Sequence, residues 1–436
     1  MAATGSKLKC FFLRKHGYPT PPTGGLSIYV IPFFWNLIGV GGLAVISSMN
    51  SIAGQAFARF FPILVWTFLY FNLASHLFLY PFVRSLARLL ESDKKSLGSG
   101  FYQWLILAGG SGAAGLLTLF AGLGLPLLYI VLSCLLFVSL LSLSFFLQVL
   151  ILWKRWQLVT PMFAWSLLPS LLTLVLLPYQ EWAMLVFVIL LSVSPLAYGL
   201  WTVRKDLVGR KHGINLWRDG NLWRTGFYLG LAFALPYLGA WFSDRGVVLE
   251  HGLRLAPSFD SLAFLAYFPS LFSPLYLHMR LEKGLGATIS SYFRALNRGE
   301  NLRQMEQRRV GLTRMLTQEL NKILWGQTMA IFVCALLLIS IWPSWDGLLL
   351  MGAYGAWALA AVYRILLFYL GDDRGAGNAT RVYGLGSLGM IFLAICLNSS
   401  LLATAFALST LGYALCLRCR LHDYVEDLAY FTLSKP

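Results

Sequence analysis

Apolar runs of 17 to 27 residues, separated by shorter polar stretches rich in Lys and Arg, organise this chain from residue 27 to residue 417. Hydrocarbon about 30 Å thick takes roughly 20 mainly apolar residues of α-helix per crossing. The pattern predicts twelve crossings: 27 to 49, 59 to 83, 101 to 123, 126 to 152, 158 to 178, 182 to 203, 225 to 243, 260 to 279, 323 to 343, 347 to 370, 382 to 398 and 400 to 417. Runs such as "PLLYIVLSCLLFVSLLSLSFFLQVLIL" (126–152) are apolar all round. A transmembrane β-barrel would instead alternate apolar and polar residues in short segments. The expected fold class is therefore an all-α polytopic membrane protein, about twelve transmembrane helices in two six-helix bundles.

Composition agrees and charge adds direction. Of 436 residues, 58% are apolar and 12% charged, against roughly 25% charged in a soluble domain. Short loops rich in Lys and Arg stay cytoplasmic. With both termini inside, thirty of the 34 basic residues fall in cytoplasmic segments, and only Arg59, Arg245 and Arg254 fall outside. The net charge of +16 is thus spread over seven loops, and no nucleic-acid partner follows from it. The polar stretch before the first run is too long for the leading region of a cleaved signal peptide, so the first helix is expected to be retained.

These features give a division into a cytoplasmic segment 1–26, a first six-helix half 27–203, a cytoplasmic connector 204–224, a second half 225–417 with a cytoplasmic amphipathic segment 281–322, and a tail 418–436. Six spans per half is an even number, so both halves enter from one face, as in a parallel repeat. Span two ends "YFNLASHLFLYPFVR" and span eight ends "YFPSLFSPLYLHMR", each with Tyr-Phe before a proline, a histidine and an arginine. In "NLWRDGNLWR", Trp217 and Trp223 suit the headgroup level. Prolines 32, 62, 161, 169, 195, 236, 269 and 274 fall within spans and predict kinks. "GGSGAAG" (109–115) and "YGLGSLG" (383–389) predict close helix packing.

Candidate chemistry is sparse. Arg364 is the one charge well inside a span; it either snorkels to the cytoplasmic side or faces a central path and meets substrate. Asn36, Asn72 and His76 are further candidates for a polar path, the last two four residues apart on one helix face, with interhelical hydrogen bonding as the plainer role. Asp260 opens a span and suits a helix N-terminus. In 281–322, apolar Met305, Leu312, Leu316 and Ile323 recur at helical spacing among arginines, which fits a helix lying on the anionic leaflet or a docking surface. "CLRC" (416–419) lacks a second pair, and "GDDRG" (371–375) is expected to be a solvated loop. No phosphate loop, metal-binding helix or nucleophile elbow occurs. An enzyme is not expected, nor a cofactor.

The stretch "PSFDSLAFLAYFPSLFSPLYLHMRLEKG" (257–284), followed by "YFRALNRGENLRQ", resembles the Pel exopolysaccharide transporter family of the bacterial inner membrane, within the superfamily of multidrug, oligosaccharide-lipid and polysaccharide (MOP) exporters. The matching positions are Pro257, Asp260, Phe264, Ala266, Tyr267, Glu282, Tyr292, Phe293, Gly299 and Leu302. "LGAWF" (238–242) departs from the family, standing where a charged stretch is usual. The resemblance implies export of a growing polysaccharide across the cytoplasmic membrane, with a cytoplasmic glycosyltransferase and further membrane subunits as partners beside the lipids themselves. Two alternatives stay open. One is an ion-coupled flippase for lipid-linked oligosaccharide or small molecules, with a charged central cavity; the other is a non-transporting scaffold of a synthase complex, with no polar interior.

Overall fold

The computed structural model describes residues 52–92, 97–152, 155–159, 161–165, 183–207, 220–249, 252–298, 301–341 and 343–428. They are almost wholly helical: α1 (Ile52–Ser92), α2 (Leu97–Gly122), α3 (Leu127–Leu152), α4 (Ala183–Leu207), α5 (Gly220–Trp241), α6 (Pro257–Tyr267), α7 (Phe272–Arg280), α8 (Gly286–Arg298), α9 (Leu302–Ile341), α10 (Trp345–Leu370), α11 (Asp373–Leu397) and α12 (Leu402–Glu426). Seven of these are long and apolar enough to cross a membrane. The first predicted span, 27 to 49, lies outside the described residues, as does most of the fifth. Each of the others except the eighth, 260 to 279, falls on a single observed helix. Between α5 and α6 runs an antiparallel pair, β1 (Val247–Val248) and β2 (Arg254–Leu255), with Val247 opposite Leu255.

Two compact units emerge, the first holding the described residues up to 234 together with 247–255, the second 235–246 and 256–428. In the first, α3 packs against α1, α2 and α4. Its core is aromatic: Phe82 stacks on Phe145 at 4.1 Å, and Trp104 lies against Trp223 at 5.6 Å. Small residues set the close approaches. A Cβ on Gly112 would meet the Phe137 ring, and one on Gly226 would lie 2.2 Å from the His76 carbonyl oxygen. The 109–115 cluster is therefore a packing seam, whereas Gly386 and Gly389 of the second cluster face open space.

In the second unit α10 is central and packs against α6, α7, α9, α11 and α12. Ser344 caps its start by accepting from the Gly347 N–H, and Gly371, at φ 90°, ends it in the left-handed region that favours glycine. Outward faces of α9, α11 and α12 expose Phe332, Leu336, Val382, Phe392 and Leu411, a surface suited to lipid chains.

Proline effects divide in two. Helices α1, α4 and α5 run through Pro62, Pro81, Pro195 and Pro236. The predicted eighth span breaks instead: α6 gives way to a 3-10 turn, Phe268–Leu271, before α7 resumes, and a π turn, Leu281–Leu285, leads into α8.

Candidate functional site

The start of the broken span explains its Pro-x-x-Asp pattern. Pro257 occupies the first helical position, where its missing N–H costs nothing. One turn later the buried Asp260 reaches back, and its Oδ2 accepts from the Ala256 N–H at 3.0 Å. Its carboxylate also accepts from Trp241 Nε1 at 2.9 and 3.0 Å to the two oxygens. Trp241 belongs to "LGAWF", so that segment supplies this acid's indole partner.

Further along the same unit, phenols and an indole cluster between helices. Tyr237 and Tyr354 share a hydroxyl hydrogen bond of 2.7 Å. The Tyr267 ring stands edge-on to Tyr354 at 5.6 Å and 6.4 Å from Trp357, and Phe406 packs on Tyr354 at 5.3 Å. Arg364 lies ten residues after Tyr354 on α10, about 15 Å along the axis. It is only 3% exposed and donates to the Tyr413 hydroxyl at 3.1 Å. That hydroxyl also bonds Thr380 Oγ1 at 2.8 Å, and the Tyr413 ring stacks on Tyr383 at 4.2 Å. Arg364 therefore points into its unit rather than along its stem to a surface.

The helix break is held from outside. In an unbroken α-helix the Ser273 N–H would donate to the Pro269 carbonyl. Gln327 of α9 stands between them: Oε1 accepts from the Ser273 N–H at 3.2 Å and from its hydroxyl at 2.6 Å, while Nε2 donates to Pro269 O at 2.8 Å. Gln327 is 1% exposed, so both backbone groups are satisfied without water. Two turns away, buried Glu319 accepts from Arg280 Nε at 2.6 Å and from Lys322 at 3.1 Å. At the start of α11, Asp372 caps the helix through the Gly375 N–H and pairs with Arg420 at 2.7 Å. The expectation of a solvated "GDDRG" loop is thus corrected, because Asp372 is buried.

Of the other predicted positions, Asn36 lies outside the described residues. Asn72 and His76 turn inward on their own helix: Asn72 Nδ2 donates to Phe68 O at 3.0 Å, His76 Nδ1 meets Asn72 O at 2.7 Å, and the imidazole stacks on Phe233. Tyr292 and Phe293 are buried, and α8, which carries them, packs on α9. Glu282 lies in the π turn. Among the described residues no group of three or more His, Cys, Asp and Glu side chains is placed to hold a metal.

Sequence reasoning missed Trp241, Glu319, Gln327, Tyr354 and Tyr413. Two carried a signal: Leu312, Leu316, Glu319, Ile323 and Gln327 recur at spacings of three and four, so an acid and an amide sit on an otherwise apolar stripe. The tyrosines carried none.

The family model for PelG, an exopolysaccharide exporter (EPS-E), matches residues 25–433. No curated protein matches by sequence. Among solved structures, a crystal structure of MATE in the bent conformation aligns over 100% of both chains at a TM-score of 0.57 and 12% identity. An outward-facing multidrug resistance MATE family transporter of the MOP superfamily aligns over 99% of this chain and 100% of its own, at 0.57 and 11%, and an inward-facing one over the same shares, at 0.52 and 13%. At such identities the likeness is one of fold.

Proposed function

The chain belongs to the PelG exopolysaccharide exporter family, and from that membership we propose that this multi-pass inner-membrane transporter passes a growing exopolysaccharide outward across the cytoplasmic membrane. A sugar polymer brings many hydroxyl groups that hydrocarbon cannot satisfy. A path for it needs hydrogen-bonding groups along its length and flat apolar faces for the rings, the mixture found in small-molecule sites generally.

The observation that carries the reading is the interior of the second unit. Tyr237, Tyr267, Tyr354 and Trp357 supply faces and polar tips, and Arg364 with Tyr413 and Thr380 supplies a buried donor cluster. A scaffold alone would be expected to lack a polar interior, and a buried charge such as Arg364 is costly in a membrane. The reading assigns no catalytic residue to the chain: the polymer is made by a cytoplasmic glycosyltransferase and handed on.

Deleting the gene in the native bacterium, then measuring secreted and cell-retained exopolysaccharide, tests this. The expected result is loss of secreted polymer, restored by the wild-type chain and not by Arg364→Ala present at normal level. Unchanged secretion after deletion would overturn it and favour a small-molecule exporter.

A further inference from the structure

Helix α9 is one helix of 40 residues, and its exposed side chains change character along its length. From Trp325, 66% exposed, through Met329, Phe332, Val333, Leu336 and Leu337, they are mainly apolar. From Arg303 to Lys322 the exposed positions include Arg303, Gln307, Arg314, Gln318 and Asn321. Tryptophan favours the headgroup level, so Trp325 marks where the helix leaves the hydrocarbon on its basic, cytoplasmic side.

The apolar stripe of the basic half is already used. Met305, Leu312, Leu316 and Ile323 are buried, and α8 lies alongside with Ile289, Tyr292 and Phe293 buried in turn. A hydrogen bond from Thr288 Oγ1 to Met315 Sδ, 3.1 Å, joins the two helices. A leaflet-bound amphipathic helix would need that stripe free for lipid. The basic half and α8 therefore form a helical prong that shares this buried stripe and is braced where Arg309 Nη1 donates to the Glu426 carbonyl at the end of α12, 2.6 Å.

Residues 286–322 hold seven Arg and Lys against three acids. Glu319 is taken up by Arg280 and Lys322, and Glu306 by Arg309. Arg294, Arg298, Arg303 and Arg314 remain exposed along the prong. Lipid does not account for this charge. Arg303 lies about 33 Å along the axis from Trp325, and a tilt of about 40° would still leave about 25 Å. The attraction of an anionic leaflet fades within a Debye length of about 8 Å.

We propose that the prong is a docking surface for an acidic face of a soluble cytoplasmic protein. Arginine forks pair bidentately with Asp and Glu, and charges at an exposed rim mainly set encounter rate and salt dependence. The surface would then recognise its partner reversibly and by sign of charge, whatever the chain transports.

A photo-crosslinking residue at Gln307, in the full chain in the native bacterium, tests this. The expected result is a discrete protein adduct whose crosslinked peptide is rich in Asp and Glu. Its yield should fall at least tenfold in the Arg303→Glu, Arg314→Glu double variant at unchanged membrane level, and return when the captured acids are changed to Lys. If that variant fails to accumulate, Arg303→Ala with Arg314→Ala should still lower the yield several-fold. Adducts to lipid alone, no adduct, a captured peptide without acids, or a yield indifferent to charge would each overturn the proposal. Because the readout is contact and not export, it stands or falls apart from the choice of substrate.

Discussion

In the first unit the buried polar side chains, among the described residues, are all hydroxyls, and Thr67, Ser85, Ser142, Ser192 and Thr225 bond carbonyls three or four residues back on their own helices. In the second unit the buried set also holds Asp260, Glu319, Gln327, Arg364 and Asp372, each bonded to a group on another helix or at a helix end. Hydroxyls bonded to their own turn ask little of a neighbour, and aromatic packing does most of the holding in such a bundle, although Ser85 and Ser192 also meet a side chain of another helix. A buried charge or amide holds a particular partner, because losing that partner leaves a desolvated group unpaired. Polar chemistry that specifies geometry is therefore concentrated in one unit.

The contrast can be broken most directly by function. Arg364→Ala is expected to lower secreted polymer about tenfold or more, in line with loss of a hydrogen bond from a charged donor, while Asn72→Ala and His76→Ala stay within about twofold. Comparable losses at all three would erase the distinction. Next in size is a pair of matched tryptophans. Trp241→Phe removes the indole donor of buried Asp260 and should cost about 2 kcal/mol, whereas Trp104→Phe loses a neutral bond to Ser85 Oγ, 2.6 Å, and should cost about 1 kcal/mol. Thermal unfolding in detergent at matched conditions reads the order, and a reversed order would refute it. A gap of the same size is expected between Gln327→Leu, at about 2 kcal/mol for the Ser273 N–H left dry while Pro269 O keeps its bond from the Phe272 N–H, and Ser192→Ala, which removes the 2.6 Å Ser139–Ser192 contact between α3 and α4 at about 1 kcal/mol. Equal midpoints for these two would show that water enters the break freely.

Much of the fold was legible because span length is a local property of the chain. The long runs at 59–83, 126–152 and 347–370 became α1, α3 and α10, and Asp260 was readable as an N-terminal acid from position alone. At Asn72 and His76 a polar side chain in an apolar run signalled a partner without saying where it lies, and each meets a carbonyl one turn back on its own helix. Tyr354 and Tyr413 could not be found, since a tyrosine in a span looks like any aromatic until another helix brings it a hydroxyl or a guanidinium. The two prolines at 269 and 274 announced a break but not what would fill it.

What fills it changes how the span can move. A kink solvated by water can deepen or straighten alone, because molecules enter and leave as the angle changes. Gln327 is a fixed substitute for that water, covalently part of α9, and its amide fits one separation between Pro269 and Ser273. Any change of bend must then drag the neighbouring helix along or wet the gap, so α7 and α9 share a single mechanical degree of freedom where the sequence suggests two.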